Sequence, residues 1–329
     1  MKLSLIIIIG SLTMGIVSCN KKGCTDPSAL NYNKKYTKDD GSCTFEETTS
    51  NDGTINKSGN IVSNETWTSD KIYILSGKVI VNSGVTLTIE PGTIIKGAEG
   101  TGTLASALVI AQGAKINAVG TASQPIIFTS VLDNIAVGQL TGTNLDENNQ
   151  GLWGGIIMLG YAPISAADGD VLSQIEGIPA SDSYGAFGGS NTADNSGTLS
   201  YVSIRHGGAL IGAGNEINGL TLGGVGSGTI ISNIEVVANL DDGIEFFGGT
   251  VNVTNVLIGF QGDDGLDIDM NYAGTITNFV VINGSNSDES LEIDGPEGTT
   301  YTSGLFNLVN DDNASFLIKH KWDVFIWLF

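Results

Sequence analysis

The chain reads Asp241-Asp242-Gly243-Ile244-Glu245-Phe246, then Asp263-Asp264-Gly265-Leu266-Asp267-Ile268 22 residues later, then Asp288-Glu289-Ser290-Leu291-Glu292-Ile293 25 residues after that. Each copy places acidic residues before a small residue and then alternates apolar with acidic side chains. A related copy, Gly219-Leu220-Thr221-Leu222-Gly223, begins 24 residues before Gly243. Alternation with period two predicts short β-strands, and the regular spacing predicts that these strands stack coil upon coil.

The segments between these copies supply two more strands per repeat. In the first repeat they are Thr229-Ile230-Ile231 and Ile234-Glu235-Val236, and the next two repeats contain equivalent runs. Three short strands per 22 to 25 residues form the coil of a parallel β-helix. A leucine-rich repeat has a similar period but needs a Leu-x-x-Leu-x-Leu frame, which is missing, and a propeller blade needs about 40 residues. The sequence therefore predicts an all-β fold, a right-handed single-stranded parallel β-helix, over residues 54–318.

Equivalent residues of successive coils should stack about 4.8 Å apart in this fold. Two apolar ladders should then point into the coil, one of Ile244, Leu266 and Leu291 and one of Phe246, Ile268 and Ile293. Burial of each large side chain stabilises the fold by roughly 1.5 to 3 kcal/mol. A lone coil cannot bury its own face, so the ladders must repeat for the coils to stack.

The charge balance restricts the partners. The chain has 35 Asp and Glu against 14 Lys and Arg, a formal net charge of -21. Such a surface argues against nucleic acid as a partner and suits the binding of divalent cations. Arg205 is the only arginine, and it is the only basic side chain other than histidine between Lys115 and Lys319.

The first residues have the pattern of an export signal. Lys2 precedes the mostly apolar run from Leu3 to Val17, which ends just before Cys19. The pattern predicts a lipoprotein signal peptide over residues 1–18 and lipidation of Cys19, with an ordinary signal peptide and a chance cysteine as the alternative. A diacylated cysteine would anchor the chain stably. Asn20, rather than Asp, follows the cysteine, which favours the outer membrane of the cell envelope. Lys21 and Lys22 depart from the acidic pattern of surface export, so surface and periplasmic orientations both stay open.

Residues 19–53 read as a lipidated tether that contains a cysteine-bounded loop and a linker. Cys24 and Cys43 are an even pair, which in an oxidising compartment predicts a disulfide. The loop between them is rich in Asp and Asn, whose oxygens suit Ca²⁺, and the alternative is a disulfide-closed spacer with solvated turns.

At the other end of the chain, residues 319–329 form an atypical apolar tail that departs from the repeat, either a truncated coil or a hydrophobic plug.

The acidic positions of the repeat are the candidate metal ligands. Like charges one coil apart repel one another unless something neutralises them, and clustered carboxylate oxygens suit Ca²⁺. The alternative is that these side chains accept hydrogen bonds from turn amides. The candidate ligands are Asp241, Asp242, Glu245, Asp263, Asp264, Asp267, Asp269, Asp288 and Glu292.

Several longer motifs resemble a known family. They are Val85–Gly97, Gly151–Gly155, Tyr201–Gly208 and Asp241–Gly249. Together they are similar to β-helix repeat lipoproteins and secreted proteins of gram-negative envelopes, with a pectin-lyase-like solenoid, over about residues 60–310. The resemblance implies this fold and an envelope location, and it implies no catalytic residues.

Two function classes remain open at this point. The first is a non-catalytic, rigid binding or adhesion module for a glycan or a protein. The ligand would lie along the coil face, with Trp153, Tyr161 and Tyr184 as candidate contacts, the alternative being that these aromatics pack in the core or in loops. The long insertions between residues 131 and 198 either carry the binding function or are surface elaboration without a ligand.

The second class is a polysaccharide lyase or glycoside hydrolase of the β-helix type. Its catalytic candidates would be Asp242, Asp264, Arg205 and His206. In β-helix hydrolases the His motif follows the Asp pair, whereas here His206 precedes both pairs. The sequence therefore leans towards the binding module.

Overall fold

The computed structural model describes the β-helix and part of the region before it. The described residues are 21–27, 29–40, 42–44, 48–49, 53–167, 169–211 and 217–302. The predicted signal peptide, Cys19 and the predicted tail at 319–329 lie outside them. Within this part of the chain no helix is both long and apolar enough to cross a membrane.

Short strands make up the regular structure. They are β1 Thr48–Thr49, β2 Thr54–Ile61, β3 Glu65–Trp67, β4 Ile72–Val81, β5 Thr86–Ile89, β6 Ile94–Gly97, β7 Ala107–Ile110, β8 Lys115–Val119, β9 Ile126–Ser130, β10 Ile156–Leu159, β11 Ser173–Gln174, β12 Ala186–Phe187, β13 Gly197–Arg205, β14 Leu220–Gly223, β15 Ile230–Val237, β16 Ile244–Phe247, β17 Asn252–Gly259, β18 Leu266–Asp269, β19 Ile276–Ile282 and β20 Leu291–Ile293. Two single 3₁₀ turns, Gly102–Leu104 and Ser183–Gly185, are the only helical segments among the described residues.

The pairing of these strands confirms the predicted right-handed parallel β-helix. One face of the solenoid consists of β7, β10, β14, β16, β18 and β20, each parallel to the next. A second face runs through β13, β15, β17 and β19, again in parallel. Ile244 pairs with Leu266 and Leu266 with Leu291, so the predicted inward ladder exists with the predicted spacing. Ile244 and Leu266 are fully buried.

The number of strands per coil changes along the solenoid. The coil of β6, β7 and β8 has three separate strands, as predicted. In the coil before it two strands are merged in β4, whose first half pairs with β6 and whose second half pairs with β7. In the coils after it a different two are merged from β13 onward, because the first half of β13 pairs with β8 and its second half with β9. The later coils therefore have two strands, where the sequence predicts three.

Asparagine explains why the merged strand does not break. Asn233, Asn255 and Asn278 hold φ values of 55°, 58° and 55° at the bend, a left-handed conformation that Asn tolerates better than most residues. The Asn255 amide donates to Asn233 Oδ1 at 3.0 Å, and the Asn278 amide donates to Asn255 Oδ1 at 3.2 Å. The side chains thus form a hydrogen-bonded ladder of their own, and strand pairing continues on both sides of the bend.

The inserted segment 161–188 forms a second layer outside the first face. Its Phe187 packs against Phe247 of β16, with ring centroids 6.0 Å apart. It contributes to an apolar cluster separate from the solenoid interior, whose members include Ile157, Leu159, Ile164, Ile175, Ile178, Phe187, Ile211, Ile217, Phe247 and Met270. The outward side of this face is therefore covered around β10 and β16, and this is the side that carries the acidic columns.

Candidate metal centre

The strand register stacks the acidic residues that follow the turn. Glu245 of β16 lies beside Asp267 of β18, and Asp267 lies beside Glu292 of β20. All three point away from the solenoid interior, because they alternate with the buried apolar ladder. The predicted column of carboxyl groups is thus present in the structure.

A second column lies in the turn just before the strand. Asp242 Oδ1 accepts the backbone N–H of Asp264 at 2.9 Å, and Asp264 Oδ1 accepts the N–H of Glu289 at 2.6 Å. The alternative interpretation, that these acids bond to turn amides, therefore applies to one oxygen of Asp242 and one of Asp264. Bonding of one oxygen leaves the other carboxyl oxygen of each residue with acceptor capacity.

Two sets of carboxyl oxygens converge. Asp242, Glu245 and Asp267 each bring an oxygen to within 4.8 Å of the others, and Asp241, Asp242 and Asp263 form a second such set. Ca²⁺ binds oxygens at about 2.3 to 2.6 Å, so ligands on opposite sides of one ion lie up to about 5 Å apart. Both sets have spacings that one cation can bridge, and Asp242 belongs to both.

The first set is buried, in contrast to ordinary surface acids. The exposed fraction is 6% for Asp242 and 6% for Glu245, and Asp267 is half-buried. Glu176 of the covering segment adds a further negative charge next to Glu245. In the described part of the chain, no lysine or arginine forms an ion pair with these three residues.

Burial and mutual repulsion hold protons on these groups. Burial, then the charge of Asp241, raises the pKa of Asp242 to about 9. Burial is also the main cause that raises the pKa of Asp264 to about 8 and that of Asp267 to about 6. Burial and then the charge of Asp242 raise the pKa of Glu245 well above its usual range. Without a cation, part of this cluster is therefore protonated near neutral pH.

Asn218 adds an amide to the buried set. It lies one coil before Asp242, is 3% exposed, and its side-chain nitrogen donates to Glu245 Oε2. Its Oδ1 is buried and has no hydrogen-bond partner among the described residues. An unpaired buried carbonyl costs about 1 to 3 kcal/mol. A half-turn of the amide exchanges its oxygen and nitrogen, which would bring a neutral oxygen ligand next to Glu245.

The other predicted ligands differ in exposure. Asp264 is buried, Asp269 is half-buried, and Asp263, Asp288 and Glu292 are exposed. Asp264, Asp269, Asp288 and Glu292 belong to neither converging set. Burial, followed by the charge of Asp267, raises the pKa of Asp269 to about 7.

Arg205 and His206 lie in a different place from the acidic centre. Arg205 ends β13 on the second face, and its guanidinium pairs with Glu235 at 3.1 Å. The pocket that contains Arg205 and His206 includes neither Asp242 nor Asp264 among its lining residues. The structure does not bring the four catalytic candidates together.

The three aromatic candidates for ligand contact have different environments. Trp153 is fully buried, stacks on Phe128 with centroids 6.3 Å apart, and its indole N–H donates to the Arg205 carbonyl at 2.7 Å. Its prediction as a ligand contact is wrong, because it fills the solenoid interior. The Tyr184 hydroxyl donates to Asp182 at 3.1 Å, and Tyr161 is 39% exposed.

Near the start of the described region, Cys24 and Cys43 are joined by a disulfide, with Cα atoms 4.7 Å apart. In that loop Asp40 Oδ1 accepts the N–H of Ser42 at 3.1 Å, and Asn33 Oδ1 accepts the N–H of Lys35 at 3.1 Å. Such hydrogen bonds to turn amides are expected of a spacer loop closed by a disulfide. No set of converging acids is found among the described residues of this loop.

Two residues of the centre have little or no signal in the sequence. Asn218 aligns with the Asp242 column, but an amide among carboxylates gives no sign that its oxygen is unpaired. Glu176 belongs to an insertion without repeat phase, so only the folded structure shows that its charge acts on Glu245.

Comparison with known proteins agrees with this architecture. The family model of the pectate-lyase-like β-helix domain matches residues 59–317. No curated protein and no solved structure gives a significant match.

Proposed function

The chain belongs to the family of pectate-lyase-like β-helix domains, and we propose that it uses this fold as a rigid, non-catalytic binding or adhesion module stiffened by Ca²⁺. Its partner is a glycan or a protein at the cell envelope, and the charge of -21 argues against nucleic acid. Lipidation of Cys19 would hold it at the outer membrane.

One observation carries the cation part of the proposal. Asp242, Glu245 and Asp267 converge in a buried set that has no basic partner in the described part of the chain. The unpaired carbonyl oxygen of Asn218 lies in the same amide that contacts Glu245. Proteins bury a carboxylate cluster without a base when a proton or a cation neutralises it.

Calcium fits the donor set better than a transition metal. The three acids offer oxygen, and so does Asn218 after a half-turn of its amide. Ca²⁺ takes six to eight oxygen ligands in flexible geometry, with water completing the shell. Transition metals favour nitrogen and sulfur ligands, and neither is present in the set.

The stiffening follows from where the ligands lie along the solenoid. Asn218, Asp242 with Glu245, and Asp267 belong to three successive coils. One ion would therefore link three rungs. A ligand that binds only the folded state at 100 times its Kd adds about 2.7 kcal/mol to stability.

No specific observation favours the lyase or hydrolase alternative. A lyase needs a strong base beside the cation, but Arg205 donates to Ser203, Leu140 and Glu235 in another region of the solenoid. Stacked acids give carboxyl separations near those of glycosidases in any β-helix, so those spacings carry no weight.

The test is calorimetric titration of the metal-free chain with Ca²⁺, together with thermal unfolding in Ca²⁺ and in EDTA. We expect saturable binding and a higher Tm in Ca²⁺. Glu245→Gln should lose most of this Tm rise, because it removes a buried ligand. The matched control is Glu99→Gln, the same change at an exposed acid outside the centre. No heat of binding together with an unchanged Tm in EDTA would overturn the proposal.

The anchor has its own test. In a gram-negative host, the full chain should fractionate with the outer membrane, and Cys19→Ala should release it into the soluble fraction or leave its signal peptide uncleaved. Membrane retention of a processed Cys19→Ala protein would contradict lipidation at this cysteine.

A further inference from the structure

The inserted segment 131–150 closes a pocket against the second face of the solenoid. The cavity measures about 270 Å³. Its floor comes from coil residues that include Arg205, His206 and Phe260, and its roof comes from insertion residues that include Asp146 and Glu147. The pocket is separate from the metal centre, since the two share no residue.

Arg205 is held rigidly in the floor. Its Nε donates to Ser203 Oγ at 2.7 Å, its Nη1 to the Leu140 carbonyl at 2.8 Å, and its Nη2 to Glu235 Oε2 at 3.1 Å. Ser203 also donates to the same carboxyl oxygen of Glu235. The pairing neutralises the guanidinium and fixes the remaining N–H groups, which is the preorganisation expected of a binding surface.

His206 presents a hydrogen-bond acceptor. Its Nδ1 lies 2.7 Å from the Asn149 carbonyl, and a carbonyl can only accept, so Nδ1 carries the proton. Burial lowers the pKa of the imidazole, which is therefore neutral near pH 7. Its other nitrogen, Nε2, therefore carries a lone pair and can accept a hydrogen bond.

Phe260 supplies the apolar part of the lining. Its φ of 59° is left-handed, as are the φ values of 60° at His206 and 55° at Ala238. The three residues follow paired residues of successive coils, so this conformation belongs to the turn of the coil. Phe260 places a large ring at a turn position where the preceding coil has alanine, and this ring lines the cavity.

The charges of the lining select the ligand class. Four carboxyl groups and one guanidinium line the pocket, so a phosphate, a sulfate or a uronate would be repelled. Among the described residues no three of these acids converge as they do at the metal centre, so a single cation lacks a cage here. Separated acceptors, a few fixed donors and one aromatic ring match a neutral molecule with hydroxyl groups around an apolar ring face.

We propose that this pocket binds one neutral sugar residue of a glycan. Carboxylates of Asp146 and Glu147 accept hydroxyl protons, Arg205 donates to ring or hydroxyl oxygens, and Phe260 lies against the C–H face. The volume is below the roughly 300 to 1,000 Å³ of pockets for drug-sized ligands, which suits a single ring. The inference rests on the proposed binding role and not on the cation.

The test uses saturation-transfer NMR and calorimetry on the full chain with four probes at millimolar concentration. The probes are methyl glucoside, methyl galactoside, methyl glucuronide and glucosamine. We expect a neutral glycoside to bind and the glucuronide not to bind. Glu147→Gln should weaken binding about tenfold, because a charge-assisted hydrogen bond is lost, and Phe260→Leu should weaken it by a similar factor.

Glu99→Gln is the control and should bind as the wild type does. The proposal is overturned if neither methyl glucoside nor methyl galactoside binds. It is also overturned if Glu147→Gln and Phe260→Leu both bind the glycoside as tightly as the wild type does. Stronger binding of glucosamine, abolished by salt, would overturn it in favour of a cationic ligand. Titration of the same samples with Ca²⁺ separates the two proposals, since Ca²⁺ binding without sugar binding defeats only the pocket, and the reverse defeats only the metal centre.

Discussion

Replacing Asp242 with asparagine should have opposite effects in the metal-free and the Ca²⁺-loaded protein. The substitution is nearly isosteric and keeps Oδ1, which accepts the N–H of Asp264 at 2.9 Å. It removes the charge of a residue that is 6% exposed and belongs to both converging sets. The backbone turn should therefore survive, and only the electrostatics of the centre should change.

The magnitude follows from the raised pKa of Asp242. Its pKa is about 9 in the folded protein against an ordinary value of 3.8. The folded state therefore keeps a proton that the unfolded state releases, so the metal-free protein loses stability as the pH rises from about 4 to about 9. At pH 7 this loss is about 4 kcal/mol, at 1.36 kcal/mol for each pH unit above 3.8. Asp242→Asn lacks this penalty and should be the more stable protein in EDTA, with a gain that vanishes near pH 4.

Calcium should reverse the order. The ion would neutralise the wild-type cluster at neutral pH and add its binding energy, whereas the variant has lost a ligand. The assay is urea unfolding of both proteins at several pH values between about 4 and 9, in EDTA and in Ca²⁺. Glu99→Gln, an exposed acid with the same charge change, should follow the wild type throughout. The reasoning is refuted if Asp242→Asn destabilises the metal-free protein at pH 8 and still gains as much from Ca²⁺ as the wild type does.

Three further outcomes are expected. Ca²⁺ binding at pH 7 should release protons, because protonated carboxyls must ionise to bind the metal, and the calorimetric heat should then vary with the ionisation enthalpy of the buffer. Asn255→Leu should destabilise the solenoid by about 2 kcal/mol in urea unfolding, through left-handed strain and a lost bond to Asn233, while Asn255→Gly should cost less. Gly97→Ala should cost about 1 to 3 kcal/mol by the same measurement, because its β-carbon would lie 2.5 Å from Trp153 Cβ.

The repeat could be predicted from the sequence because each coil has a local alternation of apolar and polar side chains at a regular spacing. The alternation around Ile244, Leu266 and Leu291 fixes which side chains point inward, and the spacing fixes their register. From that register the stacking of Glu245 on Asp267 follows without further information. The acidic column is thus a consequence of the fold rather than an independent discovery of the structure.

The merged strand could not be predicted by the same route. Asparagine between two β-branched runs normally indicates a turn that ends the strand. Here Asn233, Asn255 and Asn278 take the left-handed conformation and bond to one another, so the bend costs little. These hydrogen bonds join asparagines of different coils, so the sequence of a single coil does not predict them.

The insertions are the other part that the sequence left open. Among the described residues between β9 and β13, only β10 keeps the register of the coils. The segments 131–150 and 161–188 on either side of it have no repeat phase, so nothing in their pattern indicates against which face they pack. The apolar side chains Ile164, Ile175 and Phe187 meet a matching outward cluster on the first face, and this contact decides the placement. Consequently Asp242 and Glu245, expected on an outward surface, are buried, whereas Glu292, in the same column as Glu245, stays exposed. Trp153, expected near a ligand, lies inside the solenoid.

Stacking and covering together account for the chemistry proposed for this chain. A β-helix repeats any acidic position at every rung, but on a solvated face water screens the repulsion and no ligand is required. Covering that face with segment 161–188 removes the screening, so the stacked acids must keep protons or take up a cation. Segment 131–150 instead leaves a cavity over the second face. Its acids are spread apart, and among the described residues no three of them converge to bind a cation. One rigid solenoid thus offers two kinds of site, and the way each insertion packs determines which kind it becomes.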